Sequence, residues 1–418
     1  MVPNGWNRKP LLKVADIRTG VAKGKKGLKD PIQVPYLRVA NVQDGHIDLS
    51  EVKTIEIERH QLERYSLQAG DVLMTEGGDF DKLGRGDVWQ GQISPCLNQN
   101  HVFAVRTDHK ILLPYFLAAL SGSSYGKTYF LSCAKRSTNL ASINSTQLKE
   151  FPVLLPPLPE QQKIAKILST WDKTIATTEK LIATSQQQKK ALMQQLLAGK
   201  KRLVNPETGK VFEGDWEEVK LGDVISLGRG FAFKSGQYSE NGTKVVRVTN
   251  IASSGNIDLS DCVYVPDEIA MEYQKYSLQN KDVLLVMVGA TAGKLGFVSE
   301  KILPSLLNQN MWSLRTRDMS TLSQLFLRHI AERIVSRYML TQQGSARGFF
   351  TQSTFELVSF RIPSVEEQHK IALTLTAADK EIELLQAKLA YLKNEKKALM
   401  QQLLTGKRRV KVEDVQAA

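Results

Sequence analysis

The stretch KKALMQQLLAGK, which occupies residues 189–200, returns almost unchanged as KKALMQQLLTGK at residues 396–407. The offset of 207 residues holds without a gap back to Pro156 and Pro363. Solenoid repeats are far shorter, with periods of roughly 20–50 residues. The sequence therefore indicates that this chain is one half-protein written twice.

Apolar residues recur along each repeated segment with alternating spacings of four and three, which is typical of a coiled-coil seam. Seven of ten seam positions are apolar in the first copy and nine of ten in the second. Pro159 and Pro363 mark the helix starts, and Gly199 and Gly406 mark the ends. We expect two helices of about 38 residues, roughly 57 Å long. Apart from Ala378, the predicted apolar seam consists of Ile164, Leu168, Trp171, Ile175, Ile182, Leu192, Leu196, Ile371, Leu375, Ile382, Leu385, Leu389, Leu392, Leu399 and Leu403.

A lysine occupies the same seam position in both copies, Lys189 and Lys396. A polar residue on a seam costs stability but can fix the register of the helices. Alternatively, both long side chains reach past the edge of the seam into water. The sequence leaves these two interpretations open.

The composition is that of an ordinary soluble globular protein, with 418 residues, 42% hydrophobic and 24% charged. This length suits two or three domains. No apolar run is long enough to cross a membrane, and the N-terminus lacks a signal-peptide core. The three cysteines are far apart and in no CxxC pattern, which favours a reducing cytoplasm without disulfides or zinc.

The net charge of +13 favours an anionic partner such as nucleic acid. Its distribution is uneven, with +5 in residues 1–155, +6 in 156–205, 0 in 206–362 and +2 in 363–418. If the second globular half binds DNA, its basic residues must therefore be gathered on one face.

The repeat continues more faintly outside the helices, where RVAN, YSLQ, DVL, KLG and LNQN recur in the same order as RVTN, YSLQ, DVL, KLG and LNQN. Between these motifs the two globular modules differ. Short apolar runs and Gly-rich turns predict strands, and each module has one predicted helix, at 115–120 or 325–340. Polar loops are predicted at 135–144 and 344–353. We expect an α+β module with a curved, mostly antiparallel sheet.

These motifs, the transition PPLPEQQKIA at residues 156–165 and the helix ending in KKALMQQLL together resemble the specificity subunit of Type I restriction-modification systems. The resemblance covers nearly the whole chain in the family's order of recognition domain, helix, recognition domain, helix. The second transition, PSVEEQHKIA at residues 363–372, departs from it by having one proline where the first has three.

The resemblance implies two target-recognition domains joined by two long antiparallel coiled-coil helices with pseudo-twofold symmetry. Each domain would read one half of a split, asymmetric DNA site. Two methyltransferase subunits and the translocating endonuclease (restriction) subunits would be the protein partners, with no cofactor and no catalytic site in this chain. The expected domains are 1–155 and 201–362 for recognition, the latter including a linker, with spacer helices at 156–200 and 363–418.

Basic and polar residues on loops are the candidate DNA contacts, since phosphates are positioned by cations and bases are read by forked polar side chains. For each candidate, the alternative is that it lies on a solvent-exposed loop and makes no contact with DNA. The candidates are Lys23, Lys25, Lys26, Lys29, Lys82, Arg85, Lys135, Arg136, Ser137, Thr138, Asn139, Arg229, Lys234, Lys244, Lys294, Ser345 and Arg347.

Residues that are the same in both modules cannot account for two different half-sites. We therefore interpret LNQN at 97–100 and 307–310 as structural amides, and likewise Arg38 with Asn41 and their counterparts Arg247 with Asn250.

Two other classes of function are alternatives to DNA recognition. A coiled-coil scaffold whose globular heads bind protein or RNA would show weak, salt-insensitive DNA binding, whereas a DNA reader loses affinity steeply with salt. An autonomous enzyme is disfavoured because GATAGK at 289–294 departs from the P-loop pattern and no methyltransferase or metal-ligand motif is present.

Overall fold

The computed structural model describes residues 2–24, 27–78, 80, 83–136, 141–341 and 350–412, without the side chain of residue 341. The chain divides into two compact units. The first unit contains Met1–Lys180 and Gln386–Ala418, and the second contains Leu181–Leu385. Within the described ranges, no helix combines the length and the apolar character that a membrane crossing requires.

The globular part of the first unit consists of short strands and four short helices. The helices are α1 (Leu62–Tyr65), α2 (Pro114–Gly122), α3 (Ser124–Cys133) and α4 (Ser145–Lys149). The strands are β1 (Asn7–Pro10), β2 (Ala15–Thr19), β3 (Pro31–Leu37), β4 (Val42–Gln43), β5 (His46–Ile47), β6 (Lys53–Glu58), β7 (Val72–Thr75), β8 (Gly77–Gly78), β9 (Gly86–Val88), β10 (Leu97–Asn98), β11 (Val102–Thr107), β12 (Lys135–Arg136), β13 (Ala141–Ser142) and β14 (Pro152–Leu155). Strand β14 leads into the first long helix, α5 (Leu158–Leu196).

The second unit repeats this plan with fewer strands. Its strands are β15 (Glu217–Lys220), β16 (Ile225–Arg229), β17 (Thr243–Val246), β18 (Val263–Val265), β19 (Val283–Val286), β20 (Leu295–Phe297), β21 (Ser305–Leu307), β22 (Met311–Thr316) and β23 (Ser359–Ile362). Its helices are α6 (Leu221–Val224), α7 (Asp267–Glu272), α8 (Gln324–Thr341) and α9 (Gln352–Glu356), and β23 leads into the second long helix, α10 (Val365–Leu403).

The two larger sheets have the same topology in both units, while the sheet β12-β13-β8 and the pair β4-β5 are described in the first unit alone. A four-stranded antiparallel sheet has the order β2-β11-β7-β9 in the first and β16-β22-β19-β20 in the second. A three-stranded sheet, β10-β3-β6 or β18-β17-β21, includes one parallel pair, so the sheets are mostly antiparallel. A bidentate ion pair braces the first sheet in each unit, from Arg106 to Asp71 and from Arg315 to Asp282. The α+β class expected from the sequence is therefore confirmed.

The two long helices each contain 39 residues, close to the expected length. Gly199 and Gly406 follow them with φ of 68° and 67°. This left-handed conformation suits glycine and ends a helix. Every predicted seam residue is buried or half-buried, whereas most of the residues between them are exposed. The seam pattern therefore matches the faces that α5 and α10 turn away from water.

Within each unit, one end of α5 packs near the opposite end of α10. In the first unit, Ile164 and Leu168 share an apolar core with Leu403. In the second, Leu196 shares a core with Ile371 and Leu375. Further along, Asp172 pairs with Lys396 in the first unit and Lys189 with Asp379 in the second, so the partner's number falls as the number in α5 rises and the segments run in opposite directions. Burying one such side chain fully contributes about 1.5–3 kcal/mol.

A buried carboxylate closes each of these helix junctions. In the first unit, Glu160 accepts two hydrogen bonds from the guanidinium of Arg409, at 2.7 and 2.8 Å. In the second unit, Glu367 accepts two from Arg202, both at 2.7 Å. The carboxylates are 3% and 0% exposed. Both pairs link the start of one long helix to the residues that follow the other.

A buried glutamine anchors each helix start to its own module. Gln161 accepts from the backbone N–H of Leu113 and donates to the carbonyl groups of Ile111 and Pro156. Gln368 makes the same three bonds, accepting from Ser323 and donating to Thr321 and Pro363. Neither glutamine is among the residues predicted from the sequence to have a role.

Several local predictions were wrong in detail. The sequence predicts one strand over Tyr36–Val42, but the observed strand ends at Leu37, because the Asn41 side chain accepts from the Arg38 N–H and holds a tight turn. The first module has two successive helices, α2 and α3, where one was expected. The polar loops expected at 135–144 and 344–353 contain regular structure, since β12 and β13 lie in the first and α9 begins in the second.

Candidate nucleic-acid interface

The Gly-rich turn and the polar segment of the first module are brought together by a small sheet. Strand β8 pairs with β13, and β13 pairs with β12, so Gly77–Gly78 lies beside the hairpin that carries Lys135 and Arg136. A Cβ atom at Gly77 would lie 2.9 Å from the carbonyl oxygen of Ala141, which is closer than real Cβ contacts. Glycine therefore permits the close pairing on which this face depends.

Basic and aromatic side chains are exposed on that face. Lys135 and Arg136 are exposed, and the Arg136 guanidinium lies 6.0 Å from the ring centroid of Phe80, which is itself 40% exposed. Arg136 also donates to the carbonyl of Leu131 at 2.9 Å. Arg85 lies on the same turn, and its Nε is buried with no hydrogen-bond partner among the described residues. The remaining candidates here, Lys82, Ser137, Thr138 and Asn139, lie outside the described residues.

The second module places its equivalent segments together in the same way. The Phe350 N–H donates to the Met287 carbonyl at 3.1 Å, so the chain after residue 349 returns to the turn that begins after Met287. Lys294 does not face outward from that turn: it is half-buried and its amine donates to the carbonyl of Ile251. Ser345 and Arg347 lie outside the described residues.

The other basic candidates for DNA contact divide into those with exposed side chains and those whose side chains bind other parts of the protein. Lys23 and Lys29 are exposed, with the Lys23 amine 5.7 Å from the Tyr36 ring centroid, and Lys234 is exposed as well. Arg229 is exposed and donates to Gln352 at 2.9 Å. Lys244 is half-buried, and its amine lies 3.5 Å from the Ile302 carbonyl oxygen. Lys25 and Lys26 lie outside the described residues.

The LNQN segments pack tightly against the loops that carry these lysines. A Cβ at Gly20 would lie 1.9 Å from the Asn98 carbonyl oxygen, and one at Gly230 would lie 1.8 Å from that of Asn308. Both asparagines are buried, at 2% and 7% exposure. Their position agrees with a structural role and leaves sequence reading to the residues around them.

A basic and aromatic surface beside the first sheet escaped the sequence analysis. In the first unit, Arg18, His60, Arg64 and Tyr65 line an open cleft of about 600 Å³. The second unit has aromatic side chains at the corresponding place, where Phe231 lies 4.4 Å from Tyr273 and 5.1 Å from Tyr276 between ring centroids. The signal was the basic residue before each YSLQ motif, Arg64 and Lys275.

The titratable groups do not assemble into a reactive site in the described parts of the chain. No group of three or more His, Cys, Asp or Glu side chains there could hold a metal ion. Burial raises the pKa of the Cys96 thiol to about 11, so it stays protonated at neutral pH. What the surface offers is cations, amides and aromatic faces, which are the groups that bind nucleic acid.

Comparison with known proteins gives a consistent result. A family model described as "Type I restriction modification DNA specificity domain" matches residues 3–185 and again residues 213–394. The putative type I restriction enzyme MjaX specificity subunit of Methanocaldococcus jannaschii is 28% identical, over 98% of this chain and 95% of its own length.

Two solved structures share the fold. The HsdS subunit from Thermoanaerobacter tengcongensis has a TM-score of 0.50 at 19% identity, covering 97% of this chain and 98% of its own. A chain from a structure on complex assembly and conformational transition of the type I R-M system has a TM-score of 0.60 at 18% identity, covering 98% of this chain and 100% of its own.

Proposed function

This chain belongs to the Type I restriction modification DNA specificity family, and from that membership we propose that each of its two modules reads one half of a bipartite, asymmetric DNA site. The chain is the sequence-specific DNA-recognition subunit of a restriction-modification complex, and the catalytic activity lies in other subunits. One observation carries the proposal: the family model matches twice, on two modules with one topology but different loops.

We propose that α5 and α10 form one antiparallel coiled coil with pseudo-twofold symmetry, which sets the gap between the half-sites. The repeated Glu–Arg pairs and the opposed helix directions within each unit support this arrangement. Readers with twofold symmetry face half-sites about 34 Å apart or a multiple of it. Because the modules differ in their loops, the two half-sites should differ in sequence.

The exposed cations divide by expected role. Lys23, Lys29, Arg229 and Lys234 are proposed to position phosphates, and Lys135 with Arg136 to contact base edges. Lys244 and Lys294 are proposed to support the fold, since their amines are directed to backbone carbonyl groups. Arg85 is half-buried on the Gly-rich turn and stays a candidate DNA contact. Lys25, Lys26, Lys82, Ser137, Thr138, Asn139, Ser345 and Arg347 stay predictions.

The partners of the complex are two methyltransferase subunits and the endonuclease subunits. We propose that the outward faces of the long helices carry the methyltransferase contacts. Leu373, Leu384 and Tyr391 of α10 are 60%, 63% and 62% exposed and recur at helical spacings of 11 and 7 residues. These side chains lie on one side of the helix, and their exposure is the observation that supports the proposed contact.

The proposed domains are 1–155 and 201–362 for recognition, with spacer segments 156–200 and 363–418. The proposed place of action is the cytoplasm, whose reducing environment suits three free cysteines.

Methylome sequencing tests the proposal. Cells should carry a split, non-palindromic methylated motif that disappears when this chain is deleted and returns when it is supplied. An unchanged methylome would refute DNA recognition by this chain. The salt dependence of DNA affinity distinguishes the scaffold alternative from a DNA reader. The complex should lose DNA affinity steeply between about 50 and 200 mM salt, whereas a protein- or RNA-binding scaffold would not.

A further inference from the structure

Two lysines interrupt the apolar seam of the long helices, and each of them is paired. In the second unit Lys189 forms an ion pair with Asp379. In the first unit Lys396 forms one with Asp172. The lysines are 207 residues apart and so are the aspartates, which is the period of the repeat. The same contact is therefore present twice, once in each unit.

The two ion pairs specify the same helix register. The residue numbers in the two pairs have the same sum, and in an antiparallel pair of helices a constant sum defines one alignment. A lysine at a single seam position is known to select register at a cost in stability. Here both lysines select one and the same alignment.

A slip by one heptad would break this pattern. In one direction Lys396 would face Glu179, but Lys189 would face the uncharged Gln386. In the other direction both lysines would face alanines, Ala372 and Ala165. In either slip the aspartates would face apolar seam residues, which are Leu403 and Leu196 in one direction and Leu389 and Ile182 in the other.

Parallel pairing of the two repeats would be repulsive. At the repeat offset, Lys189 would face Lys396 and Asp172 would face Asp379. Like charges placed opposite each other disfavour an arrangement and are a common means of excluding alternatives. The two ion pairs therefore disfavour parallel pairing of the helices as well as a slipped register.

The lysines of these pairs are better shielded from water than the lysine of an ordinary surface ion pair of the same helices. The side chains of Lys189 and Lys396 are 25% and 22% exposed. Their partners Asp379 and Asp172 are 22% and 53% exposed. An outer pair, Lys393 and Glu179, lies away from the seam positions. Its N–O distance is 2.7 Å, and its side chains are 54% and 47% exposed. A charge left without its partner costs more where it is shielded. Register selection is therefore expected from the seam pairs and not from the outer pair.

We propose that Lys189–Asp379 and Lys396–Asp172 are positioning residues that lock the helix register and so define the gap between the DNA half-sites. This inference rests on the proposed function, because the gap has meaning only if both modules bind one duplex. One heptad of α-helix is about 10.5 Å long, so a slip corresponds to a gap change of about 3 base pairs.

The test uses the full chain assembled with its methyltransferase subunits and duplexes that carry the methylome-defined motif with gaps changed by 0, 1 or 3 base pairs. The main variant is Lys189→Met with Lys396→Met, which keeps side-chain length and removes both charges. The swap variant exchanges both pairs, as Lys189→Asp, Asp379→Lys, Lys396→Asp and Asp172→Lys. Lys393→Met is the matched control, because it makes the same substitution in the outer pair.

The wild-type complex should prefer the native gap by at least about tenfold, and the methionine variant should reduce that preference below about threefold while remaining folded. The swap variant and the Lys393→Met control should keep the wild-type preference. Strict gap preference in the folded methionine variant would overturn the lock. If that variant does not fold, the swap variant decides, and a lost or shifted gap there overturns the lock. A wild-type complex without gap preference would reject the spacer proposal as well, whereas failure of the lock alone would leave it intact.

Discussion

The junctions between the long helices and the loops of the two modules differ in how well the repeat has preserved their sequence. Glu160 with Arg409 and Glu367 with Arg202 form one buried contact twice, with the same two hydrogen bonds in each unit. The Gly-rich turns, by contrast, read GGDFDKLG in the first module and GATAGKLG in the second. Contacts common to both copies serve the assembly of each unit, and segments that differ are where two unlike half-sites can be distinguished.

The largest effect is expected from changing the length of the long helices α5 and α10. Inserting one heptad into α5 alone should misalign the helices and lower DNA affinity at least about 100-fold, since both modules could no longer engage one site. Inserting a heptad into both helices should restore binding at a gap about 3 base pairs longer. Binding to gap-variant duplexes measures both outcomes. An unchanged gap would show that the helices do not set the spacing.

Removing a buried carboxylate should have the next largest effect. Glu367→Gln should lower the free energy of unfolding by about 2–3 kcal/mol, because Arg202, which is 22% exposed, then faces an amide. Glu160→Gln should cost less, because Arg409 is 45% exposed and water can solvate it. Chemical denaturation gives the value, and hydrogen exchange assigns the loosened unit. The exposed Glu381→Gln on α10 is the control, expected within about 0.5 kcal/mol of wild type. A loss no larger than that control's at either site would show that its pair does not brace the junction.

How far the sequence predicts this structure depends on the distance over which a contact acts. The helix spans, the seam and the common module topology follow from local spacing and from the repeat. The Glu–Arg junctions were missed because they join residues 249 and 165 positions apart. Their signal was nevertheless present, since both partners recur at the offset of 207 residues. The sequence predicts Lys244 and Lys294 as DNA contacts because it shows their charge, whereas their partial burial is visible only in the structure.

Acid should distinguish the two units. Burial, opposed by nearby Asp379 and reinforced by Arg328 and Lys189, lowers the pKa of His329 to about 4, and its Nε2 lies 3.0 Å from the hydroxyl of Thr376. The unfolded chain, with a histidine pKa near 6.5, binds the proton more readily than the folded one. Stability is therefore fully present above pH 6.5 and is lost as the pH falls from about 6.5 to about 4.

At pH 5 this loss should be about 2 kcal/mol relative to pH 7. Denaturation of the wild type and of His329→Gln at both pH values measures it, and the variant should lose about 2 kcal/mol less than the wild type. The effect should appear in hydrogen exchange of the second unit. Equal acid sensitivity of the two proteins would show that His329 is not the group responsible.

A recognition side chain should act on one half-site only. Arg136→Ala should cost about 1–3 kcal/mol of affinity and relax base preference in the half-site of the first module, because a forked contact to a base is lost. Substitutions in the second half-site should have the same effect on the variant as on the wild type. Lys149→Ala removes an equally exposed charge of the same module and serves as the control. Relaxed preference in both halves would contradict separate reading.

The most direct measurement is a module exchange followed by methylome sequencing. Residues 1–155 are replaced by the corresponding module of another family member with a known motif, and α5, α10 and the second module are kept. One half of the methylated motif should change to that of the donor, while the other half and the gap remain. A motif that is altered in both halves, or in neither, would contradict the account.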